Sequence, residues 1–275
     1  MCASFSPWRA TGYCEGEQKV NDWTDRLNAA MEAARHAGAM LRGRRDFHVE
    51  NKSAKDFVTD ADRASEQMII AELSARYPED GFYGEEGGVR KKSEGMWVID
   101  PIDGTTNFIK NIPLYTISIA YLRAGDVVAG AVYAPALDEM FSAVKGGGAF
   151  LNGKPIHVSD AADPGSAVVA MSFAARVPDA SKKLMGLLAE ILPEVNDFRR
   201  MGSAAFDLCC VACGRVDAYF EPCLNIYDIA AGVLIVREAG GCVGGWQDED
   251  CLITGNVVAA PPQLYGFFHD RLRLG

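Results

Sequence analysis

The chain is short of the features that would place it on nucleic acid or in a membrane. Over 275 residues, 27 Lys and Arg stand against 37 Asp and Glu, for a formal net charge of -10. Phosphate backbones are held by clustered basic residues, so a nucleic-acid partner is not expected. No apolar run approaches the ~20 residues of a membrane span, and Met1 to Val20 lacks the apolar centre of a secretory leader. A cytoplasmic protein with no membrane partner is expected. No internal repeat is evident. The eight cysteines include one cluster, Cys209, Cys210 and Cys213, in which Cys210 and Cys213 have zinc or redox spacing. It lacks a second pair or a nearby His to complete a tetrahedral site. SAAFDLCCVAC instead reads as a helix in which Cys packs as a small hydrophobe. Cys2, Cys14, Cys223, Cys242 and Cys251 are scattered, as free thiols are in a reducing compartment.

What is present gathers around WVIDPIDGTTNF, residues 97–108. Met96 to Ile99 reads as a buried strand that stops at acid. Pro101 fixes its own φ and biases Asp100 to an extended conformation, so Asp100 and Asp103 can face one point. Carboxylates that close raise each other's pKa unless a cation lies between them, which asks for a hard, oxygen-bound metal such as Mg²⁺. Gly104 lets the backbone approach a ligand, and the N–H groups of Gly104, Thr105 and Thr106 could hold an anion. An ordinary Asp-Pro and Asp-Gly turn accounts for the same residues.

The length allows a large core and two subdomains within one chain. Residues 1–21 read as a poorly ordered tail. From Asp22, Trp23, Leu27, Ala30, Met31, Ala34, Ala37 and Leu41 recur at helical spacing, with His36 on the surface. Lys52 to Lys55 reads as a charged loop and Asp56 to Thr59 as a short extended piece. Thr59 or Asp60 would cap a helix to Tyr77, with Asp62 stabilised in its first turn by the macrodipole. GFYGEEGG reads as a Gly-rich loop whose Glu85 and Glu86 are ordinarily solvated. Residues 113–156 read as an antiparallel meander with turns at Arg123-Ala124-Gly125 and Asn152-Gly153. DAADPG, residues 160–165, is the linker between halves 22–160 and 161–275. Beyond it strands alternate with helices, as in α/β layering. Gly202, Ser203 and Ala204 open the cysteine-bearing helix, Glu221 ends the strand VDAYFE, and Asp228 begins an apolar helix that closes at Gly240-Gly241. Each has a structural reason to be there, as a helix cap or a helix-start acid. Short strands and a helix from Pro261 close the chain.

WVIDPIDGTTNF closely resembles the signature of the inositol monophosphatase family, lithium-sensitive Mg²⁺-dependent phosphomonoesterases. Segments at VTDAD, GEE, GSAA and NIYDIAAGVLIVREAGG resemble the family's others in order, over roughly residues 22–270. The resemblance implies an αβαβα layered sandwich, antiparallel-rich in its α+β first half and α/β in its second, and a homodimer. It implies that Glu85, Asp100, the Ile102 carbonyl, Asp103 and Asp228 hold two Mg²⁺ ions, with a third bound more weakly. Glu85 and Thr105 would orient the attacking water, and Asp62 would support Thr105. Gly104, Thr105 and Lys52 would meet the phosphate, while Gly202, Ser203, Ala204 and Glu221 would meet the released alcohol. No DxDx(T/V) strand end or Cys-x₅-Arg loop is expected, and so no covalent phosphoenzyme. Tyr227 stands where the family usually has Trp, which bears on pocket shape. TTNF resembles the inositol-phosphate branch, so the implied substrate is a small polyol or sugar phosphate. Histidinol phosphate, fructose 1,6-bisphosphate and 3'-phosphoadenosine 5'-phosphate remain open, as does a regulatory role on transcription machinery, known for some relatives.

Overall fold

The computed structural model describes residues 16–43, 47–53, 56–173 and 177–274, with the backbone alone for 16–22, 51–53, 56–57 and 274. Helix α1 (Gly16–Gly43) begins ahead of the expected Asp22, because Glu17, Gln18 and Lys19 are good helix formers. The rest of the expected tail lies outside the described residues. Strands β1 (Val49–Ser53) and β2 (Asp56–Thr59) form an antiparallel hairpin where the sequence suggested a loop beside one short extended piece. Helix α2 (Asp60–Arg76) starts at Thr59, whose hydroxyl accepts from the amides of Ala61 and Asp62. The helix stops at Tyr77, the residue before Pro78, where the α conformation is disfavoured.

Strands β3 (Gly81–Gly84) and β4 (Gly88–Lys91) flank a turn at Glu85, in place of the expected loop. The reason is long-range: β3 pairs in parallel with β5 (Gly95–Asp103). After the short helix α3 (Thr105–Ile109) come β6 (Thr116–Arg123), β7 (Asp126–Ala134), β8 (Glu139–Val144), β9 (Ala149–Leu151) and β10 (Lys154–Ile156). These complete an eight-stranded sheet in the order β10-β9-β8-β7-β6-β5-β3-β4, antiparallel except at β3 and β5. Two of its turns have paired positive φ values, 51° and 90° at Ala124-Gly125 and 50° and 75° at Asn152-Gly153. That geometry matches the twist of the strands they join.

The second half runs β11 (Val168–Met171), α4 (Pro178–Ile191), β12 (Asp197–Arg199), α5 (Ala204–Ala212), β13 (Ala218–Glu221), α6 (Ile226–Glu238), β14 (Cys242–Gly244), α7 (Cys251–Thr254), β15 (Val257–Ala260) and α8 (Pro262–Leu274). Its five strands are ordered β12-β11-β13-β15-β14. Helix α7, not expected from the pattern, is a single turn set by the Asp250 carboxylate capping Leu252 and by Gly255 at φ 72°.

Alternation along the strands explains the layers. Trp97, Ile99, Ile119, Tyr121 and Ala131 pack with α1 and α2, while Val98, Ala120, Val132 and Phe141 face the other way, onto α5 and α6. Ala170, Tyr219, Val257 and Ala259 of the second sheet cover the far side of α5 and α6. Val169, Phe220 and Val258 turn outward onto α4 and α8. The result is an αβαβα sandwich whose middle layer carries two helix starts between two sheets.

Asp80 ties the first layer to the sheet. Its carboxylate, 5 % exposed, accepts from Trp97 Nε1 at 3.1 Å, Tyr121 Oη at 3.3 Å and Arg26 Nε at 3.4 Å. Asp80→Ala orphans two buried donors and leaves a partly buried guanidinium without this partner. It should cost about 3 kcal/mol, read in urea denaturation as a lower midpoint at unchanged m.

Candidate metal-dependent active site

Residues three apart on a regular strand point to opposite faces, so Asp100 and Asp103 should diverge. They do not, because β5 carries a bulge between them. Asp100 pairs with Ser118 and Asp103 with Thr116, so β5 advances three residues while β6 advances two. Pro101, which has no N–H to give a ladder, sits inside the bulge. Both carboxylates therefore turn toward the middle layer, where α5 and α6 begin.

There they meet Asp228 in the first turn of α6. One carboxylate oxygen from each of Asp100, Asp103 and Asp228 lies within 4.8 Å of the others. Backbone and hydroxyl donors fix each acid. The Ile102 amide donates to Asp100 Oδ1 at 3.0 Å, and the Asn225 amide to Asp228 Oδ2 at 2.6 Å. Asp103 Oδ2 accepts from Ser203 Oγ at 2.6 Å and from the Ala205 amide at 2.7 Å. Glu85 falls outside that tight trio but within hydrogen-bonding reach of Asp100. Its turn is pinned by its own amide, which donates to the Ile99 carbonyl at 3.1 Å. A further buried acid, Glu66, holds the same turn by accepting from the Glu86 amide at 2.8 Å.

The cluster is electrostatically unfavourable without a cation. Burial, then Glu85, Asp103 and Asp228, hold the Asp100 carboxyl well above the usual carboxylate range. Burial pushes Asp103 up to about 6 against the opposing hydrogen bonds from Ser203, Ala205 and Ala204. Asp228 is raised by burial and by Asp103, with the Asn225 amide opposing. Among the described residues no Lys or Arg forms an ion pair with these three aspartates. Several hard oxygen donors without a basic counter-charge fit a divalent cation.

Around the acids the predicted residues fall into distinct positions. Thr105 Oγ1 lies 3.3 Å from Asp62 Oδ1 and 3.0 Å from the Ile102 carbonyl, and can donate to either. Asp62 is buried and anchored through Oδ2 by the Thr59 amide and hydroxyl at 2.8 and 2.6 Å. Gly104 has φ 92°, and a Cβ there would stand 3.1 Å from the Gly202 carbonyl, so this close approach needs glycine. Ser203 caps α5, and its hydroxyl is engaged with Asp103 and near Thr116 Oγ1 at 3.1 Å. Glu221 ends β13, where Tyr219 Oη donates to it at 2.7 Å and burial pushes its carboxyl up to about 7. Lys52 has its backbone in β1, and its side chain lies outside the described residues.

Glu85, Asp100, Asp103, Gly104, Thr105, Ser203, Glu221 and Asp228 line one open cavity of about 180 Å³, with Asp62 behind Thr105 rather than in the wall. Sequence reasoning missed several participants. Arg200 and Ser172 line the cavity, and Asn107 clamps the Leu114 and Met201 carbonyls at 2.6 and 2.7 Å, joining α3 to the approach of α5. The adjacent arginines of DFRR and the Asn of TTNF were the available signals. Asp207, fully buried on α5 with neither oxygen hydrogen-bonded, is held well above the carboxylate range by burial, then by Glu221 and Asp103. Nothing in its helical spacing marked it. Cys209 and Arg215 have the Cys-x₅-Arg spacing of phosphocysteine chemistry. However, Cys209 is fully buried, burial raises its thiol pKa, and Arg215 is paired with Glu139. Cys209, Cys210 and Cys213 are free, the first two packed within α5 and the third half-buried at its C-terminal cap, in line with the helix the sequence suggested.

The sequence matches the inositol monophosphatase family over residues 22–273. It is 42% identical over 245 residues to the Nus factor SuhB of Pasteurella multocida, covering 86% of this chain and 92% of that protein. It is 41% identical over 242 residues to an inositol-1-monophosphatase of Mesorhizobium japonicum, covering 85% and 90%. Among solved structures, the extragenic suppressor protein suhB of Bartonella henselae aligns with a TM-score of 0.86 at 36% identity, covering 91% of this chain and 99% of that one. The inositol monophosphatase of Anabaena aligns at 0.81 and 32%, covering 92% and 97%.

The raised carboxyls predict a pH dependence. A group whose folded pKa lies above its unfolded value contributes stability that is complete below the unfolded value and is lost as pH rises through the folded one. For Asp103 and Glu221 that window runs from about 4 up to about 6 and about 7. Protein stripped with EDTA should therefore lose thermal stability between pH 5 and pH 8. Millimolar Mg²⁺ should raise the Tm more at pH 8 than at pH 5. A stabilisation that does not grow with pH would place cation binding elsewhere.

Proposed function

The chain belongs to the inositol monophosphatase family, and on that premise we propose that it hydrolyses a small polyol or sugar phosphate, with inositol 1-phosphate the leading substrate, in the presence of Mg²⁺. The enzyme class is phosphoric monoester hydrolase, acting on small phosphorylated substrates. The observation carrying the reading is the aspartate trio, with oxygens within 4.8 Å, set in the wall of a cavity that also holds Gly104 and Thr105.

In this reading Asp100, Asp103, Asp228, Glu85 and the Ile102 carbonyl hold two Mg²⁺ ions, with a third held more weakly. When bound, the cations polarise the phosphate and lower the pKa of an attacking water. The chain's own groups do the positioning. Asp62, locked by Thr59, aims the Thr105 hydroxyl, and Thr105 and Glu85 orient the water. The Gly104 and Thr105 amides, with Lys52, receive the phosphate. Glu221, Gly202 and Ala204 face the released alcohol, while the Ser203 hydroxyl, occupied by Asp103, steadies the acid cluster. Halves 22–160 and 161–275 both contribute, the first Asp100 and Asp103, the second Asp228. The family resemblance extends the proposal to lithium sensitivity, a homodimer and a cytoplasmic location. No described helix is long and apolar enough to cross a membrane.

A second reading, a regulatory binding protein with incidental phosphatase activity, is favoured by relatives that carry the name Nus factor SuhB. Phosphate release at saturating Mg²⁺ from inositol 1-phosphate, histidinol phosphate, fructose 1,6-bisphosphate and 3'-phosphoadenosine 5'-phosphate tests the first reading. Asp100→Asn should lower kcat/KM by about 10³-fold, roughly 4 kcal/mol of barrier, while the metal-free fold melts no earlier. Full complementation of a gene deletion by the same variant would support the regulatory role instead.

A further inference from the structure

Arg200 is the one cationic side chain lining the cavity among the described residues. It precedes the turn at Gly202, whose φ is 87°. A Cβ at that glycine would stand 2.6 Å from Arg200 Nη1 and 3.1 Å from Asn107 Nδ2, so the missing side chain leaves room for the guanidinium to lie across the turn. The opposite side of Gly202 meets Gly104, where a Cβ would stand 3.1 Å from the Gly202 carbonyl. Arg200 is therefore next to the acid cluster but on the wall shared with Glu221.

Arg200 is exposed, and no hydrogen bond or contact-distance ion pair joins it to a described residue, although its charge partly offsets the buried carboxyls of Glu221 and Asp207. The neighbouring Arg199, by contrast, is paired with Asp197. Glu221, on the same wall, has hydrogen bonds of its own from Tyr219 and Ser172, and Arg200 acts on it as a nearby charge without a contact-distance ion pair. An arginine stays charged at any working pH and presents five donors in a planar fork that matches a carboxylate or phosphate. Two divalent cations would offset the four acids Glu85, Asp100, Asp103 and Asp228, so the fork is not consumed by that cluster and its donors stay open to the released group, beside Glu221.

We infer that Arg200 is a specificity-determining residue that engages a second anionic group, phosphate or carboxylate, on the alcohol being released. The inference rests on the phosphatase reading above and adds to it a preference, within the substrates the site accepts, for phosphate esters bearing another negative charge. A neutral polyol phosphate still fits, but it gains nothing from the fork.

The test compares esters that differ only in the second charge. Fructose 1,6-bisphosphate against fructose 1-phosphate reports a phosphate, and 2-phosphoglycerate against glycerol 2-phosphate reports a carboxylate. Steady-state kinetics at saturating Mg²⁺ should show the wild type favouring the doubly charged member of at least one pair by about 10-fold in kcat/KM. Arg200→Gln should raise KM for that member by a similar factor, with kcat and the singly charged partner within about twofold. Arg200→Lys should recover part of the loss, as a point charge without the fork. Equal losses on both members of a pair would overturn the inference by placing Arg200 on the reacting phosphate or in the scaffold. Equal wild-type kcat/KM within both pairs would overturn it while leaving the phosphatase reading intact, since that reading is judged by wild-type release from inositol 1-phosphate.

Discussion

The structure is organised around a repulsion. A one-residue bulge in β5 turns Asp100 and Asp103 to the same side, and the first turn of α6 brings Asp228 against them. Like charges at this separation in a buried site would drive the segments apart unless something holds them. What holds them is a set of donors at fixed backbone positions: the Ile102 amide on Asp100, the Ser203 hydroxyl and Ala205 amide on Asp103, and the Asn225 amide on Asp228. Two of these donor sets are helix starts, where unpaired N–H groups and the macrodipole favour negative charge.

The middle layer makes that arrangement possible because its helices are built from small residues. Ala204, Ala205, Ala230 and Ala231 are all buried between the sheets. A Cβ at Gly130 of β7 would come within 3.0 Å of Ala231 Cα, and one at Gly232 within 2.7 Å of Leu208. Larger side chains at these points would push α5 and α6 off the sheet and carry their N-termini away from the end of β5. Core packing and site geometry are thus one constraint, since the contacts that bury the central helices also set where Ser203 and Asp228 stand.

Much of this was legible along the chain. The apolar run before Asp100, the Thr59 cap, the paired positive-φ turns and the apolar helix after Asp228 are local signals, and local rules read them. The strand at Gly81–Gly84 was not legible, because its partner is a parallel strand with a different segment between them and no alternation marks it. The occupation of the Ser203 hydroxyl by Asp103 was equally hidden. Its helix-capping role was visible in sequence, but a side chain a hundred positions away claims the same oxygen. Arg200 and Asp207 escaped for the same reason, since exposure at a cavity wall and burial without a partner are properties of the assembled chain.

By itself the sequence determined most of the helices, the long strands of the meander and their two faces, and the oxygen-rich chemistry of the acids, because periodicity, proline, glycine and carboxylate character act within a few residues. Only the tertiary structure decided that acids from the β3–β4 turn, the end of β5 and the start of α6 share one space, and which donors restrain them. Convergence of distant segments depends on strand register and on how closely helices can approach a sheet, and both are set by packing across the whole fold.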